Sequence, residues 1–185
     1  MKTLMLLRHA KSSWDPEVED DIDRPLSKRG RADALRMGQE IYRRGWLPDQ
    51  ALLSPAERCC QTWELAAGNW NEEIPAHPMA ELYLATPEAL VEVISHLSND
   101  VKRLLVLGHN PGLHRLALRL AGEDSNQRAL QRLRGKFPTA SLAVLDIEGG
   151  WDQLARRPGA LTHCLRIKEL LSNPLGGEEA GHERQ

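Results

Sequence analysis

The sequence predicts an α/β fold, a three-layer α/β/α sandwich around a mostly parallel central sheet. Two observations predict it. Short apolar runs ("TLMLL", "QALLS", "RLLVL") alternate with segments of helical periodicity, and each run is followed by a helix start, the order expected of strands in a parallel sheet covered on both faces. A chain of 185 residues with 41% hydrophobic content can also supply the core. A domain of that size buries roughly 70% of the surface its unfolded chain exposes.

Taken in order, "TLMLL" is the first strand. "SKRGRADALRMGQEIYRRG" follows, placing Ala34, Leu35, Gly38, Ile41 and Tyr42 on one helical stripe that ends at Gly45. "QALLS" is the second strand, and its helix carries three start signals: Ser54 as cap, Pro55 at the first position and Glu57 completing a capping box. Ala56, Cys59, Cys60, Trp63, Ala66 and Ala67 form its core face, which makes the neighbouring cysteines small buried hydrophobes rather than thiolates. Residues 69 to 86 are irregular. Thr86 and Pro87 then open a helix with Leu90, Val93, Ile94 and Leu97 inward. "RLLVL" is the third strand and ends at Gly108; Asn110 caps and Pro111 opens the next helix, which Gly122 terminates. "SLAVLDI" is a further strand, turned at Gly149 and Gly150 toward "WDQLA" and "LTHCLRI". One domain is expected over residues 1 to 171, with a flexible tail from Ser172 to Gln185, where apolar content almost vanishes.

Composition narrows the function classes. A net charge of -2 does not describe a nucleic-acid-binding polycation. The apolar run near the N-terminus is too short for a signal peptide, and no stretch approaches the ~20 apolar residues of a membrane span. Three cysteines make no secreted disulfide framework, so a reducing cytoplasm is expected.

In open α/β sheets ligands bind beyond the carboxyl ends of the strands. Here the first strand ends in Arg8 and His9. The second brings Ser54 and, one helical turn on, Arg58. The third ends in Gly108, His109 and Asn110. Two arginines, two histidines and several helix N-termini on one edge describe a pocket for a dianion, most simply a phosphoryl group. One histidine can attack phosphorus while the other and the arginines hold the charge that spreads over the equatorial oxygens. A metal site is the weaker use of these histidines: two arginines would repel the cation, and neither HExxH nor CxxC spacing occurs. No cofactor is expected. The basic set Lys11, Arg24, Lys28, Arg29 and Arg31 lies beside the acidic run "DPEVEDDID", and the whole segment reads as a solvated, salt-bridged face.

The motifs "RHA", "LLSPAERCCQT" and "VLGHNPG", in this order, resemble the histidine phosphatase superfamily, which has a phosphoglycerate mutase-like fold. The spacing "RHAKSSWD...DRPLSKRG" is most similar to its SixA branch of phosphohistidine phosphatases, over residues 2 to 170. The resemblance implies that His9 is the nucleophile, that Arg8 and Arg58 bind the phosphoryl group and that His109 completes the pocket. Where the family has glycine after the histidine, this chain has Ala10. Ser12 matches a serine of the mutase-type loop and, with Asn110, is a candidate substrate ligand; the mutase asparagine falls at Asp15, whose carboxylate would repel phosphate, so Asp15 is not expected to be a ligand. Glu81 is the candidate general acid, with Glu88 second. The short stretch from Gly68 to Thr86 implies an open pocket that admits a phosphorylated side chain, so a protein phosphohistidine is the expected substrate. The alternatives are a small phosphorylated metabolite, a phosphotransferase or mutase reaction at the same site, and a non-catalytic phosphate-binding module.

Overall fold

The computed structural model describes residues 1 to 14 and 17 to 172. Asp15 and the expected tail beyond Ser172 therefore lie outside the described residues. Within them, β1 (Lys2–Arg8), β2 (Gln50–Leu53), β3 (Ala76–Pro78), β4 (Arg103–Gly108), β5 (Leu142–Ile147) and β6 (Ala160–Leu165) form one sheet in the order β3-β2-β4-β1-β5-β6. β3, β2, β4 and β1 are mutually parallel; β5 runs antiparallel to both β1 and β6. The sheet is thus mostly parallel, as its buried, uninterrupted apolar strands require.

The helices are α1 (Lys28–Arg43), α2 (Glu57–Ala67), α3 (Pro87–Ser95), α4 (Gly112–Leu120), α5 (Gln127–Gly135) and α6 (Ile167–Ser172). β1 shows why "LMLL" is apolar throughout. Leu4 and Leu6 enter a core with Leu90, Ile94, Leu116 and Leu133 of α3, α4 and α5, whereas Met5 and Leu7 enter a second core with Ala34, Met37, Ile41 and Cys59 of α1 and α2. One core on each face gives the three layers. α1 turns Met37 inward beside Ala34, Gly38 and Ile41, while Tyr42, expected on the stripe, is exposed. No helix among the described residues is long and apolar enough to cross a membrane.

Two expected caps are absent, and both absences concern the site. α2 begins at Glu57, with Ala56 at the cap position and no side-chain cap bond. Ser54 accepts from the Ala56 N–H ahead of the helix at 3.4 Å and, more closely, sets its hydroxyl against His109 at 2.7 Å. α4 begins at Gly112 behind a cis Asn110–Pro111 bond, and Asn110 donates to the Phe137 carbonyl rather than capping. Gly122 stands directly after the end of α4, where a terminating glycine is expected; the cap residue Ala121 pairs as an isolated bridge with Gly159. Thr86 does cap α3, accepting from the Ala89 N–H at 3.2 Å with Pro87 first. The stretch read as irregular contains the short edge strand β3 and a 3-10 turn at Ala80–Leu82. α5 is not among the expected helices, although Asn126 caps it, accepting from the Ala129 N–H at 3.0 Å, and Ala129, Leu130 and Leu133 form its buried face.

Candidate active site

The parallel strands β1, β2 and β4 deliver the site from their carboxyl ends. The His9 N–H donates to the Gly108 carbonyl at 3.1 Å, and the Ala140 N–H donates to the Arg8 and His9 carbonyls, so the ends of β1 and β4 and the approach to β5 are tied together. On that frame the rings of His9 and His109 stand 5.2 Å apart, centroid to centroid. Arg58 Nη2 lies 3.4 Å from His109 Nδ1. Arg8 donates from Nη1 to the Phe137 carbonyl at 3.0 Å, while its buried Nε has no partner. Four residues from three distant segments are brought together as the strand-end reading expects.

The hydrogen bonds assign the histidine tautomers. His9 Nδ1 is 2.7 Å from the Ala10 carbonyl oxygen, which can only accept, so Nδ1 carries the hydrogen and Nε2 the lone pair. Burial pushes the His9 pKa down to about 4, against the opposing Ala10 bond and with the help of Arg58, Arg8 and Arg24. At neutral pH the ring is uncharged, with its free nitrogen available. His109 accepts from Arg58 at Nδ1, so its Nε2–H donates to Ser54 Oγ at 2.7 Å. Burial, then His9 and Arg58, bring its pKa down to about 3. The arginine carriers are equally constrained: burial lowers the pKa of Arg8, and Arg58 is only 3% exposed. Thr62 braces the centre, accepting from the Ala10 N–H at 3.0 Å and donating to the Arg58 carbonyl at 2.6 Å.

Sequence reasoning missed the outer part of the site. Arg58 donates from Nη1 to the Asp21 carbonyl at 2.6 Å and from Nη2 to Asp21 Oδ2 at 2.9 Å. The same Oδ2 accepts from the Tyr83 hydroxyl at 2.7 Å, and Oδ1 accepts from Arg24 Nη1 at 3.0 Å. The Tyr83 bond first, then those from Arg24 and Arg58, hold the Asp21 carboxyl well below the usual carboxylate range. Tyr83 also presents its ring at right angles to His109, 5.5 Å away. Asp21 is submerged in "DPEVEDDID", and no periodicity marks a lone tyrosine in "ELYLAT".

The remaining candidates are placed differently from one another. Ser12 Oγ accepts from Arg24 Nη2 at 2.8 Å and so supports the Asp21 turn. Asn110 is committed through Nδ2 to Phe137, with its buried Oδ1 unpaired. Glu81 lies exposed on the 3-10 turn just before Tyr83 and makes no hydrogen bond or ion pair among the described residues. Glu88, the second choice for an acid, is held by Arg119 at 3.3 Å on the surface. Cys59 is fully buried, its thiol pushed up to about 12 by burial, in keeping with a core role although Sγ is 3.7 Å from His109 Nε2. Among the described residues no three His, Cys, Asp or Glu side chains are grouped to hold a metal ion.

Comparison with known proteins agrees with this geometry. Residues 4–85 match the model of the histidine phosphatase superfamily (branch 1). An uncharacterized protein of Mycobacterium leprae is 34% identical over 80% of this chain and 91% of its own. A structure from Agrobacterium tumefaciens, described as a candidate phosphohistidine phosphatase SixA, is 31% identical, covers 89% of this chain and 97% of its own, and superposes with a TM-score of 0.75. The chain belongs to the histidine phosphatase superfamily. A second structure of a candidate SixA, from Nakamurella multipartitia, has a TM-score of 0.77 at 27% identity, over 89% of this chain and 95% of its own. As a histidine phosphatase the chain is a hydrolase of phosphoryl bonds, and its sheet is phosphoglycerate mutase-like.

Proposed function

We propose that this phosphatase hydrolyses phosphohistidine on a cytoplasmic protein through a covalent intermediate on His9. The observation that carries the reading is a neutral, tautomerically fixed His9 in a pocket to which, among the described residues, no carboxylic acid is hydrogen-bonded as a proton donor. Asp21 is ionised by its three partners, Glu88 is tied to Arg119, and Glu81 stands in solvent. A phosphate ester needs its leaving oxygen protonated. A phosphohistidine ring protonated at its other nitrogen leaves phosphorus as neutral imidazole and needs no proton delivered to the breaking bond.

In the first step His9 Nε2 attacks phosphorus and the substrate P–N bond breaks. Arg8 and Arg58 hold the equatorial oxygens, joined by His109 once it takes up a proton and presents Nδ1–H, with Ser12 and Asn110 standing just outside as supports. In the second step water attacks the phosphohistidine, releasing inorganic phosphate and restoring neutral His9. Likeness to structures described as phosphohistidine phosphatases supports the substrate class.

The test is a substrate panel of a phosphohistidine peptide, a phosphoserine peptide and an aryl phosphate, run on the native protein and on Glu81→Gln. Fastest turnover of the phosphohistidine peptide, unchanged in Glu81→Gln, is the expected result, with acid-labile phosphate on the enzyme that vanishes in His9→Ala. Faster turnover of the phosphoserine peptide would overturn the substrate assignment, and transfer to an acceptor in place of phosphate release would make the protein a phosphotransferase.

A further inference from the structure

Among the described residues, one ion pair reaches from the centre of the site to its mouth, and it joins a buried cation to a half-exposed anion. The Arg58 side chain is 4% exposed and that of Asp21 is 47% exposed. Arg58 is gripped along one edge by a single residue, through the main-chain carbonyl and the carboxylate together, so that edge is closed to a phosphoryl group. Its Nε–H and the second hydrogen of Nη1 remain for the pocket, while the second hydrogen of Nη2 goes to His109 Nδ1. Tyr83 and Arg24 fix Asp21 in turn, and Tyr83 lies against His109, which places the carboxylate one arginine away from the ring that faces His9.

We propose that Asp21 sets the charge selectivity of the pocket mouth: fixed on Arg58, its carboxylate admits phosphoryl groups whose leaving side is neutral or cationic and rejects those with a second anionic group beside the phosphorus. The inference rests on the assignment of the site to phosphoryl hydrolysis and deepens it, because imidazole is a leaving group of the admitted kind. Asp21 is a positioning residue by its grip on Arg58 and a filter by its charge. Three hydrogen-bond donors keep that charge in place, and Asp20 and Asp23 on the same turn are exposed carboxylates of the same sign. A substrate carboxylate brought within several ångströms of a fixed carboxylate in a partly screened mouth loses about five- to tenfold in kcat/KM.

The experiment compares two aryl phosphates that differ only in that charge: phenyl phosphate with a para carboxylate, and its methyl ester. Each is assayed at low ionic strength on the native protein, Asp21→Asn and Asp23→Asn, with folding verified by circular dichroism. The readout is the ratio of kcat/KM for the acid to that for the ester. Asp21→Asn retains an oxygen acceptor for Arg58 and removes the charge, so the ratio is expected to rise about five- to tenfold, and added salt should erase the difference between the two proteins. Asp23→Asn makes the same change of net charge away from Arg58, and its ratio should shift less than about twofold.

A loss of activity in Asp21→Asn that is equal for both substrates would show a role in positioning alone and overturn the filter. Equal ratio changes in Asp21→Asn and Asp23→Asn would assign the effect to overall charge and overturn it as well. The aryl phosphates do not depend on phosphohistidine being the substrate. A shifted ratio alongside failure to hydrolyse a phosphohistidine peptide therefore upholds the filter while removing the proposed substrate.

Discussion

Acidification should unfold this protein earlier than its carboxylates alone would require, because its two central histidines refuse protons that the unfolded chain accepts. In the unfolded chain both titrate near the ordinary 6.5; in the fold His9 is held at about 4 and His109 at about 3. Since the folded values are depressed, the unfolded state binds more protons between these limits, and stability falls as the pH drops. The contribution is complete above about 6.5, is lost through about 4 for His9 and continues to fall to about 3 for His109. Each such proton is worth ~1.4 kcal/mol per pH unit, so moving from pH 7.5 to 5 should cost ~2 kcal/mol per histidine and ~4 kcal/mol for the pair. That is a large share of the roughly 5–15 kcal/mol typical of a whole domain. The assay is urea unfolding followed by tryptophan fluorescence at pH 7.5, 6 and 5, at constant ionic strength and without phosphate or sulfate. His163, also depressed by burial, adds a slope common to all variants. His9→Asn and His109→Asn should each flatten the profile by about one proton's worth, ~1.4 kcal/mol per pH unit. Profiles that run parallel in the native protein and both variants would refute the reasoning, since the histidines would then be taking up protons in the fold.

Three further outcomes follow from the packing around the site. Thr62→Val removes both bonds of a buried hydroxyl, leaving the Ala10 N–H without an acceptor; a loss of about 1–3 kcal/mol is expected, read as a fall in Tm. Gly112→Ala places a Cβ 1.9 Å from the Ala85 carbonyl oxygen, so the start of α4 must move away from the loop that carries Tyr83. A stability loss of about 1–3 kcal/mol is expected in calorimetry, together with reduced phosphatase activity. Thiol reagents at pH 8 should modify Cys60, which is half-buried, before Cys59 or Cys164, whose thiols burial pushes up to about 12 and about 11; mass mapping of partially labelled native protein gives the order.

Much of the centre of the site is legible in the sequence because strand ends in a parallel sheet are a geometric prediction, and Arg8, His9, Arg58 and His109 sit at or just beyond three of them. The caps mislead for a physical reason. Ser54 followed by Pro55 and Glu57, and Asn110 followed by Pro111, satisfy the local requirements of a helix start, but each side chain has a better partner far away in sequence: His109 for the first and the Phe137 carbonyl for the second. A local signature cannot register a competing partner tens of residues off. Asp21 escapes for the opposite reason, since a carboxylate among many in a charged run carries no distinguishing pattern until Arg58 and Tyr83 single it out.

The charge arrangement also predicts how the pocket responds to its ligand. Arg58 has Asp21 as a counter-ion, but Arg8 has no carboxylate partner among the described residues, and both histidines are neutral beside the two guanidinium groups. A dianion bound between them offsets the repulsion from Arg58 and Arg8 that helps to hold His109 down, so its affinity for a proton must rise. Protonated, His109 can no longer accept from Arg58 at Nδ1 and presents a donor there instead. Anion binding and proton uptake are therefore coupled, and each must strengthen the other. Sulfate is the suitable probe, being a tetrahedral dianion with no proton of its own to lose near neutrality. Titration calorimetry at pH 6 in buffers of different ionisation enthalpy should show net proton uptake, and sulfate affinity should increase from pH 7.5 to 5. His109→Asn should abolish most of the uptake while Arg8 and Arg58 still bind the anion. A binding enthalpy independent of buffer, with affinity flat across that range, would mean that the histidines remain neutral beside the anion and that the two arginines alone carry its charge.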